Sequence, residues 1–368
     1  MKKNLEIIDT LIDWPSWMNN HSFVVWRKPG EKKYKGFKAS VEILHEGLLP
    51  EKEAFIFSPF NAAGKYPALV LYPKTVDSES TGFEKTFTSS VPNDLPDEKS
   101  TYCERVETLT RMMKEGSLHK CVLSRRIDND GPDESLAPDL FIQLGNRYPD
   151  AFVSLVHIPG VYTWLGATPE RLLKVEHQKA HTTALAATRR YEGVLPDISD
   201  WNVKEKEEQQ LVTDYILKVL GDNHIDSIEY DGPRSMQAGN LVHLKTDIHF
   251  SIPPRFQILK LIKELHPTPA VCGLPKEEAL KVIHSIEPYD REYYAGFMGP
   301  VSQDELELFV NLRCMRWVGG KPSLFVGGGI TAASVPEQEW EETYFKAHTL
   351  LDVIEKLCNL AGKNQDAL

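Results

Sequence analysis

Two pairs of glutamates with a three-residue spacing are the first candidates for chemistry in this sequence. Glu205 and Glu208 form one pair, and Glu339 and Glu342 form the other. Residues three apart on a helix share one face, so each pair could present two carboxylates to a single point. Carboxylate oxygens are ligands that Mg²⁺ prefers, but the same spacing is common on solvated helix faces. Metal binding and simple surface exposure therefore both remain open.

The neighbourhood of the second pair favours a ligand site. Lys346 follows Glu342 by four residues and falls on the same helical face. Three glycines at 327–329 and a polar segment at 331–334 precede the predicted helix. A flexible glycine run before a helix N-terminus can bind an anion through backbone N–H groups. The run lacks the lysine and the spacing of a phosphate-binding P-loop, which excludes that motif.

Four single residues could act as acid, base or substrate ligand. Lys120 is the first residue of the apolar segment KCVLSRRI, a position where a lysine is usually exposed. If it faces a partly buried site instead, loss of water lowers its pKa and it becomes a possible base. Glu170 follows a proline in GATPERLL, as turn residues often do. Arg313 interrupts the apolar segment FVNLRCMRW, interpreted as a strand, and a buried arginine there needs an anionic partner such as a carboxylate. His243 interrupts NLVHLKTDI, where a hydrogen-bonded core histidine is the ordinary interpretation.

Composition narrows the class of protein. The chain has 368 residues, 41% of them hydrophobic, which is enough for a large core. It contains no apolar run near the roughly 18 residues that cross a membrane and no secretory leader pattern, so we predict a cytoplasmic protein. Its 5 cysteines lack zinc-site spacing and are expected to be reduced. The net charge of −11 argues against nucleic-acid binding, and an anionic ligand would need locally concentrated positive charge.

Hydrophobic periodicity predicts the elements that position these residues. Strands are predicted in the first seventy residues, and further on over 119–127, 151–186, 294–301, 306–315 and 323–326, with an exposed connection at 78–100. Helices are predicted over 101–115, 138–147, 202–220 and 337–360. Short links between successive strands imply antiparallel pairing with helices outside. The expected class is α+β, with residues 1–368 in one domain.

Several long blocks, in one order from about 118 to 350, resemble the chorismate-utilising enzymes, the family of isochorismate, salicylate, anthranilate and aminodeoxychorismate synthases. The blocks are KCVLSRRI, WLGATPERLL, HTTALAATRR, KEKEEQQLVTD, NLVHL, HPTPAVCGLPKEEAL, IEPYDREYYAGFMGPV, VNLRCMR and LFVGGGITAASVPEQEWEETYFKA. The segment 1–100 matches only loosely. The resemblance implies two large antiparallel β-sheets packed face to face with helices outside.

Three positions distinguish the subfamilies. Lys120 is similar to the members that add water, whereas ammonia users typically carry glutamine, because water needs a base to become a nucleophile. Ala186 replaces the lysine nucleophile of aminodeoxychorismate synthases, and HPTPAVCG at 266–273 is similar to isochorismate-forming members. The resemblance thus implies conversion of chorismate to isochorismate, for menaquinone or siderophore biosynthesis. A salicylate synthase, which goes on to eliminate pyruvate, is the competing interpretation.

The same residues disfavour both an ammonia-dependent enzyme and a protein without activity. An anthranilate-type enzyme would need ammonia and a glutaminase partner, against which Lys120 argues. An inactive chorismate-binding paralogue would be expected to lack a metal glutamate or the acid, and every expected charged group is present here. The resemblance accordingly implies a monomer with no glutaminase subunit, acting on a small molecule and not on nucleic acid or membrane.

The resemblance also assigns roles to individual residues. Lys120 is similar to the general base that activates water at C2, and Glu170 to the general acid that protonates the departing C4 hydroxyl. The reaction then requires a neutral lysine and a protonated glutamate, a combination that active sites impose through their environment.

Metal and substrate ligands follow from the same blocks. Glu208 and Glu342 match the Mg²⁺ ligands, with Glu205 and Glu339 expected to hold its waters. The expected substrate contacts are Ala187, Thr188, His243, Arg313, Gly327, Gly329 and Lys346. Two residues depart from the family pattern: Ala187 stands where glycine is usual, and Gln209 stands where histidine is frequent.

Overall fold

The computed structural model describes residues 6–8, 14–44, 49–61, 63–74, 98–128, 131–254 and 256–365. Most of the connection predicted at 78–100 lies outside these residues. The strands are β1 (Glu6–Ile8), β2 (Phe23–Arg27), β3 (Tyr34–Ile43), β4 (Ala54–Ser58), β5 (Leu69–Pro73), β6 (Lys120–Asp128), β7 (Phe152–Ile158), β8 (Tyr162–Thr168), β9 (Arg171–Glu176), β10 (Lys179–Arg190), β11 (Ile228–Ala238), β12 (Leu241–Ser251), β13 (Gly273–Leu274), β14 (Phe297–Val301), β15 (Glu305–Val310), β16 (Cys314–Val318) and β17 (Lys321–Ile330). The helices are α1 (Trp14–Asn20), α2 (Lys99–Lys114), α3 (Ala137–Arg147), α4 (Val203–Asp222), α5 (Ile258–Leu265), α6 (Lys276–Ile286) and α7 (Pro336–Gln365).

The strands form two antiparallel sheets that share one strand. The first sheet has the order β1–β3–β2–β7–β8–β16–β17–β6–β13. The second has the order β11–β12–β10–β9–β15–β14–β4–β5–β3. Strand β3 belongs to both, because its first half pairs with β2 and its second half with β5. The N-terminal strands β2 to β5 are therefore built into the same two sheets as the later strands.

Aromatic side chains between the sheets show that they pack face to face. Phe152 of the first sheet stacks on Phe309 of the second with ring centroids 4.2 Å apart. Phe57 of the second sheet meets Trp164 of the first at 6.2 Å. Offset and edge contacts of this kind add to the free energy gained from burying apolar area. The α+β class, with two large antiparallel sheets packed face to face, is confirmed.

Helices that pack on the two sheets bring the candidate residues together. Helix α4 packs on β10 and β12 of the second sheet, whereas α7 packs on β17 of the first. Helix α2 packs against α7, β6 and β17. The helices predicted at 101–115, 138–147, 202–220 and 337–360 correspond to α2, α3, α4 and α7. In the part of the chain described, no helix is both long and apolar enough to cross a membrane.

Two predicted features are corrected by the structure. The strand predicted over 306–315 is two strands, β15 and β16, and Arg313 lies in the link between them with a left-handed φ of 48°. Asn311 holds this link by donating its side-chain N–H to the Tyr293 carbonyl at 2.9 Å. The glycine run at 327–329 is the end of strand β17, paired with β6, and not a flexible loop before α7. Apolar residues flank both the link that contains Arg313 and the glycine run at 327–329. The hydrophobic pattern therefore does not show where these strands end.

A buried ion pair ties the strand β6 to the segment that follows α6. Arg291 bonds Glu287 through Nε–H at 2.8 Å, and its other N–H groups donate to the carbonyls of Val122 and Val271 at 2.7 and 2.8 Å. Glu287 in turn accepts hydrogen bonds from the backbone and side chain of Ser124 at 2.8 and 2.9 Å. Both charged side chains are almost fully buried. The pair therefore holds the two segments that carry Val122 and Val271.

Replacing one partner of this pair should destabilise the fold strongly. Arg291→Leu leaves Glu287 buried without its cation, which costs about 3–5 kcal/mol in known buried pairs. We expect the free energy of unfolding, measured by urea denaturation, to fall by about that amount. Lys281→Leu is the matched control, because its ion pair with Glu278 is exposed and should change stability little. Equal midpoints for both variants would contradict the structural role of the buried pair.

Candidate active site

A cavity of about 70 Å³ lies where α4, α7 and the glycine end of β17 meet. Its walls include most of the predicted site residues, namely Glu170, Ala187, Thr188, Glu208, His243, Arg313, Gly327, Gly329, Glu342 and Lys346. A larger cavity of about 720 Å³ adjoins it and shares the wall residues Pro169, Leu185 and Arg313. A small chamber and a larger cleft therefore have part of their walls in common.

Lys120 and Glu208 form an ion pair beside this chamber. Lys120 is the first residue of β6 and is 0% exposed, so the surface location usual for such a lysine is wrong here. Its Nζ lies 2.9 Å from Glu208 Oε1. A Cβ on Gly329 would lie 2.5 Å from that carboxylate and 3.1 Å from Lys120 Cε. A side chain at 329 would therefore push the Glu208 carboxylate away from its present position beside Lys120.

Positive charge keeps Glu208 ionised despite its burial. Burial alone would raise the pKa of its carboxyl. The attraction of Lys120, reinforced by Lys346 and Lys204, outweighs burial and lowers the pKa below its ordinary value. Glu208 is therefore a carboxylate over the whole physiological range.

The two glutamates of α7 also meet lysines. Glu342 Oε1 lies 2.5 Å from Lys346 Nζ, which donates a further hydrogen bond to the Gly327 carbonyl at 2.9 Å. Glu339 is almost fully buried, and its Oε1 lies 2.8 Å from Lys204 Nζ on α4. Burial, followed by repulsion from Glu342, raises the pKa of Glu339. Each of the three glutamates, Glu208, Glu339 and Glu342, is therefore paired with a lysine at or beside the chamber.

These carboxylates fit a hard cation that keeps several waters. A Cβ built on Gly328 would lie 3.4 Å from Glu339 Oε2, 3.6 Å from the Tyr102 hydroxyl and 3.9 Å from Glu342 Oε1. Glu208 reaches the neighbouring glycine from α4. The described residues contain no cluster of three or more acidic, histidine or cysteine ligands. Mg²⁺ commonly binds one or two carboxylates and completes its shell with water and substrate oxygens, so this oxygen-only set suits it.

Glu205 is not brought to the chamber. Its carboxylate receives two hydrogen bonds from Arg189, one of them from Nε at 2.6 Å. It also closes a capping box with Asn202 at the start of α4, through reciprocal bonds of 2.9 Å. The expectation that Glu205 holds cation-bound water is therefore corrected, because its oxygens serve the helix cap and Arg189.

Glu170 has the environment of a general acid. It lies in the link between β8 and β9 and is only 6% exposed. Burial raises the pKa of its carboxyl to about 7, although the charges of Lys120, Arg313 and Lys346 oppose that rise. A substantial fraction of Glu170 is therefore protonated at neutral pH and able to give up a proton.

A bulge in β10 fixes the proton position on His243. Ala187 lies in this bulge with a left-handed φ of 58°, a conformation that costs an L-residue about 1–2 kcal/mol and that glycine adopts readily. The Ala187 carbonyl is 3.0 Å from His243 Nδ1, which must carry the proton because a carbonyl only accepts; Thr188 Oγ1 is 3.2 Å away. Burial, followed by Arg313 and Lys346, lowers the pKa of His243 to about 3. The ring is neutral.

Two further residues complete the description of the site: Gln209, which departs from the family pattern, and Arg313, which borders the larger cavity. Gln209 donates its amide N–H to the Ala184 carbonyl at 3.0 Å and to Thr246 Oγ1 at 3.1 Å. It ties α4 to the second sheet and is not on the chamber wall. Arg313 lies on the walls of both cavities, and its Nη1 donates to Thr349 Oγ1 at 3.4 Å.

Three residues that bound the site were not predicted from the sequence. Lys204 pairs with Glu339, and Tyr102 faces Gly328 from α2. Tyr294 places its hydroxyl 2.8 Å from where a Cβ on residue 327 would lie. Lys204 lies within the charged KEKEEQQ segment, where its closeness in sequence to Glu208 was its only signal. Tyr102 lies outside the family sequence blocks, and no signal in the sequence pointed to it.

Comparison with known proteins adds an independent finding. The family described as "Chorismate binding enzyme" matches residues 74–355. Isochorismate synthase EntC of Escherichia coli is 30% identical over 263 residues, which is 70% of this chain and 67% of that protein. Isochorismate synthase MenF of Bacillus subtilis is 31% identical over 267 residues, 70% of this chain and 56% of that protein. The matched segment thus spans about two thirds of the first relative and just over half of the second.

A solved structure shares the fold. The menaquinone-specific isochorismate synthase MenF from Escherichia coli superposes with a TM-score of 0.72, covering 95% of this chain and 94% of that one. The sequence identity is 22%, so this likeness concerns the arrangement of the two sheets and their helices.

The titration of Glu170 can be followed directly in the protein without ligands. With ¹³C-labelled glutamate carboxyls, we expect an NMR resonance with a midpoint near pH 7 that Glu170→Gln removes. Lys346→Gln should raise that midpoint, because it withdraws a positive charge that favours the carboxylate. Glu292 is an internal control: burial also raises its pKa to about 7, and the opposing charges there are Arg316 and Arg126. A Glu170 midpoint near 4.5, its ordinary value, would contradict the assignment of a buried acid.

Proposed function

Because this chain belongs to the chorismate-binding enzyme family, we propose that it is an isochorismate synthase, an isomerase that adds water at C2 of chorismate and removes the hydroxyl from C4. The observation that carries the proposal is the presence, at one chamber, of a buried lysine, Lys120, and a buried glutamate, Glu170, whose pKa is raised to about 7. A glutamate with this pKa suits the role of an acid near neutral pH.

Lys120 is the group proposed to activate water. In its neutral form its Nζ takes a proton as the water oxygen bonds to C2. Its contact with Glu208 at 2.9 Å places the amine next to Gly329, at the glycine end of β17. Ala186 lines the same chamber and offers no nucleophile, so water attacks the ring without a covalent intermediate.

Glu170 is the group proposed to complete the reaction. As the ring double bonds shift from C2 toward C4, the C4–oxygen bond breaks, and Glu170 donates its proton so that the hydroxyl departs as water. One water enters and one leaves, so substrate and product are isomers and the reaction is reversible. Proton transfer by a positioned side chain typically accelerates such steps about 10²–10⁴-fold.

The substrate carries two carboxylates, for which cations are concentrated at the chamber. Arg313 and Lys346 are proposed to bind them, and the backbone of Gly327 and Gly329 to lie along the same wall. His243 has a neutral ring whose Nε2 is buried with no hydrogen-bond partner among the described residues. It is proposed to accept a hydrogen bond from the substrate. A chain of net charge −11 thus has a locally cationic site.

Mg²⁺ is the proposed cofactor. Glu208 and Glu342 would hold it, with Glu339 bonding its waters, and when bound it supplies the positive charge that anchors the ring carboxylate. The support is the convergence of these carboxylates over two adjacent glycines.

Water as nucleophile needs no ammonia, so we propose that the chain acts without a glutaminase subunit. We also propose a monomer, as the family resemblance implies, located in the cytoplasm, as the composition led us to expect. Its product would feed menaquinone or siderophore biosynthesis.

The first test of the function is the product. Incubation with chorismate and Mg²⁺ at neutral pH should give isochorismate, and the same mixture should form from isochorismate, because the reaction is an isomerisation. Chromatography with mass detection identifies the products. Salicylate with an equal amount of pyruvate as the main product would show instead that the chain continues to pyruvate elimination.

Ammonia as an alternative nucleophile distinguishes the role of the base from that of the acid. Lys120→Ala should lower water-dependent turnover by at least about 10²–10⁴-fold, because water is a poor nucleophile without a base. Ammonia needs no base, so this variant in high ammonia should form some C2 amine adduct. Glu170→Gln should react with neither nucleophile, because both routes expel the same C4 hydroxyl.

Binding provides the control for that experiment. Both variants should bind chorismate in Mg²⁺, since Arg313 and Lys346 are intact. Full water-dependent turnover by Lys120→Ala would remove this lysine from the mechanism.

A further inference from the structure

The hydroxyl of Tyr102 is buried without a hydrogen-bond partner among the described residues. The side chain is 0% exposed, and no donor or acceptor of the described chain reaches its oxygen. A buried hydroxyl that makes no hydrogen bond costs free energy, because it has lost its hydrogen bonds to water. Phenylalanine would avoid this cost, so the hydroxyl calls for a functional explanation.

Packing alone does not require a tyrosine at this position. The ring of Tyr102 meets that of Trp340 edge-on, with centroids 5.5 Å apart, where α2 packs against α7. Phenylalanine has the same ring and would make the same contact. What distinguishes tyrosine is the oxygen atom at the end of the ring.

That oxygen lies near the carboxylates of α7. It lies 3.6 Å from the position that a Cβ on Gly328 would take, and Glu339 Oε2 and Glu342 Oε1 lie 3.4 and 3.9 Å from the same point. Three oxygens thus surround the space that this glycine leaves open. Burial, followed by the charges of Glu339 and Glu342, raises the pKa of Tyr102 well above its ordinary value, so its proton is retained.

The chemistry of a phenol suits a hydrated cation next to carboxylates. A phenol donates one hydrogen bond and accepts others, whereas a carboxylate only accepts. Waters bound to a divalent cation need acceptors for their hydrogens, and outer groups of this kind orient the ligands of metal sites.

We propose that Tyr102 is a positioning residue of the cation site: its hydroxyl oxygen accepts a hydrogen bond from a cation-bound water. The inference rests on the proposed function, which places a divalent cation at Glu208 and Glu342. Tyr102 touches neither substrate nor reacting atoms. It would affect turnover only by changing the affinity of the site for the cation.

The test is cation binding by Tyr102→Phe in the absence of chorismate. Mg²⁺ affinity is measured by isothermal titration calorimetry and Mn²⁺ affinity by electron paramagnetic resonance. We expect affinity to fall by about 10-fold or more, as for other outer groups of metal sites. The Mg²⁺ concentration needed for half-maximal turnover should rise in parallel, whereas turnover at saturating Mg²⁺ should stay near that of the natural protein. The thermal midpoint without cation should not fall, because no hydrogen bond is lost.

Tyr215→Phe is the matched control. Tyr215 lies on α4, the helix of Glu208, but its hydroxyl donates to the Glu264 carbonyl at 2.6 Å, away from the chamber. This variant should lose some stability and keep its cation affinity. Glu208→Ala should lose cation binding altogether.

The outcomes separate this inference from the proposed function. Unchanged affinity in Tyr102→Phe, with binding lost in Glu208→Ala, would overturn the role of Tyr102 and leave the function standing. Unchanged binding in Glu208→Ala would overturn the cation site and the inference with it. Weaker binding in Tyr102→Phe, in a protein that forms no isochorismate, would support the inference and refute the function.

Discussion

The ion pair between Lys120 and Glu208 is the constraint on which the site depends. A fully buried ammonium is tolerated only with a close anionic partner, because removing one partner of such a pair typically costs about 3–5 kcal/mol. Lys120 belongs to the first sheet, and Glu208 lies on a helix packed on the second. Their 2.9 Å contact therefore requires the two sheets to close on each other at this point, and a side chain at Gly329 would disturb it.

Charge balance explains how so many ionised groups share one small chamber. Glu208, Glu339 and Glu342 are each paired with a lysine, and the pairs connect α4, α7 and β6. Glu170 is the exception: three cations act on it, yet burial dominates and its pKa still rises to about 7. The same environment therefore holds Glu208 ionised and leaves a substantial fraction of Glu170 protonated at neutral pH, because Glu208 touches a lysine and Glu170 responds mainly to loss of water.

Much of this arrangement could be predicted from the sequence, because periodicity determines which segments are helices and the family blocks identify the charged residues. What periodicity could not show is the partner of each side chain. Glu205 and Glu208 have the spacing of a joint ligand pair, yet Glu205 caps its helix and binds Arg189. Apolar residues continue through the link that contains Arg313, so a turn held by Asn311 had no signal. The hydroxyl of Tyr102 is buried without a hydrogen-bond partner among the described residues, and only the three-dimensional contacts reveal this.

Backbone strain and proton position are connected at Ala187. The left-handed φ of this residue belongs to the bulge at which the β10–β12 register shifts. Its carbonyl is the acceptor that holds the proton of His243 on Nδ1 at 3.0 Å. Nε2 is thereby left without a hydrogen, and the ring lies on the chamber wall as a neutral acceptor. Without the bulge, this carbonyl would belong to the regular β10–β12 ladder. The conformational cost at residue 187, about 1–2 kcal/mol for an alanine, is thus linked to the tautomer of a histidine on the chamber wall.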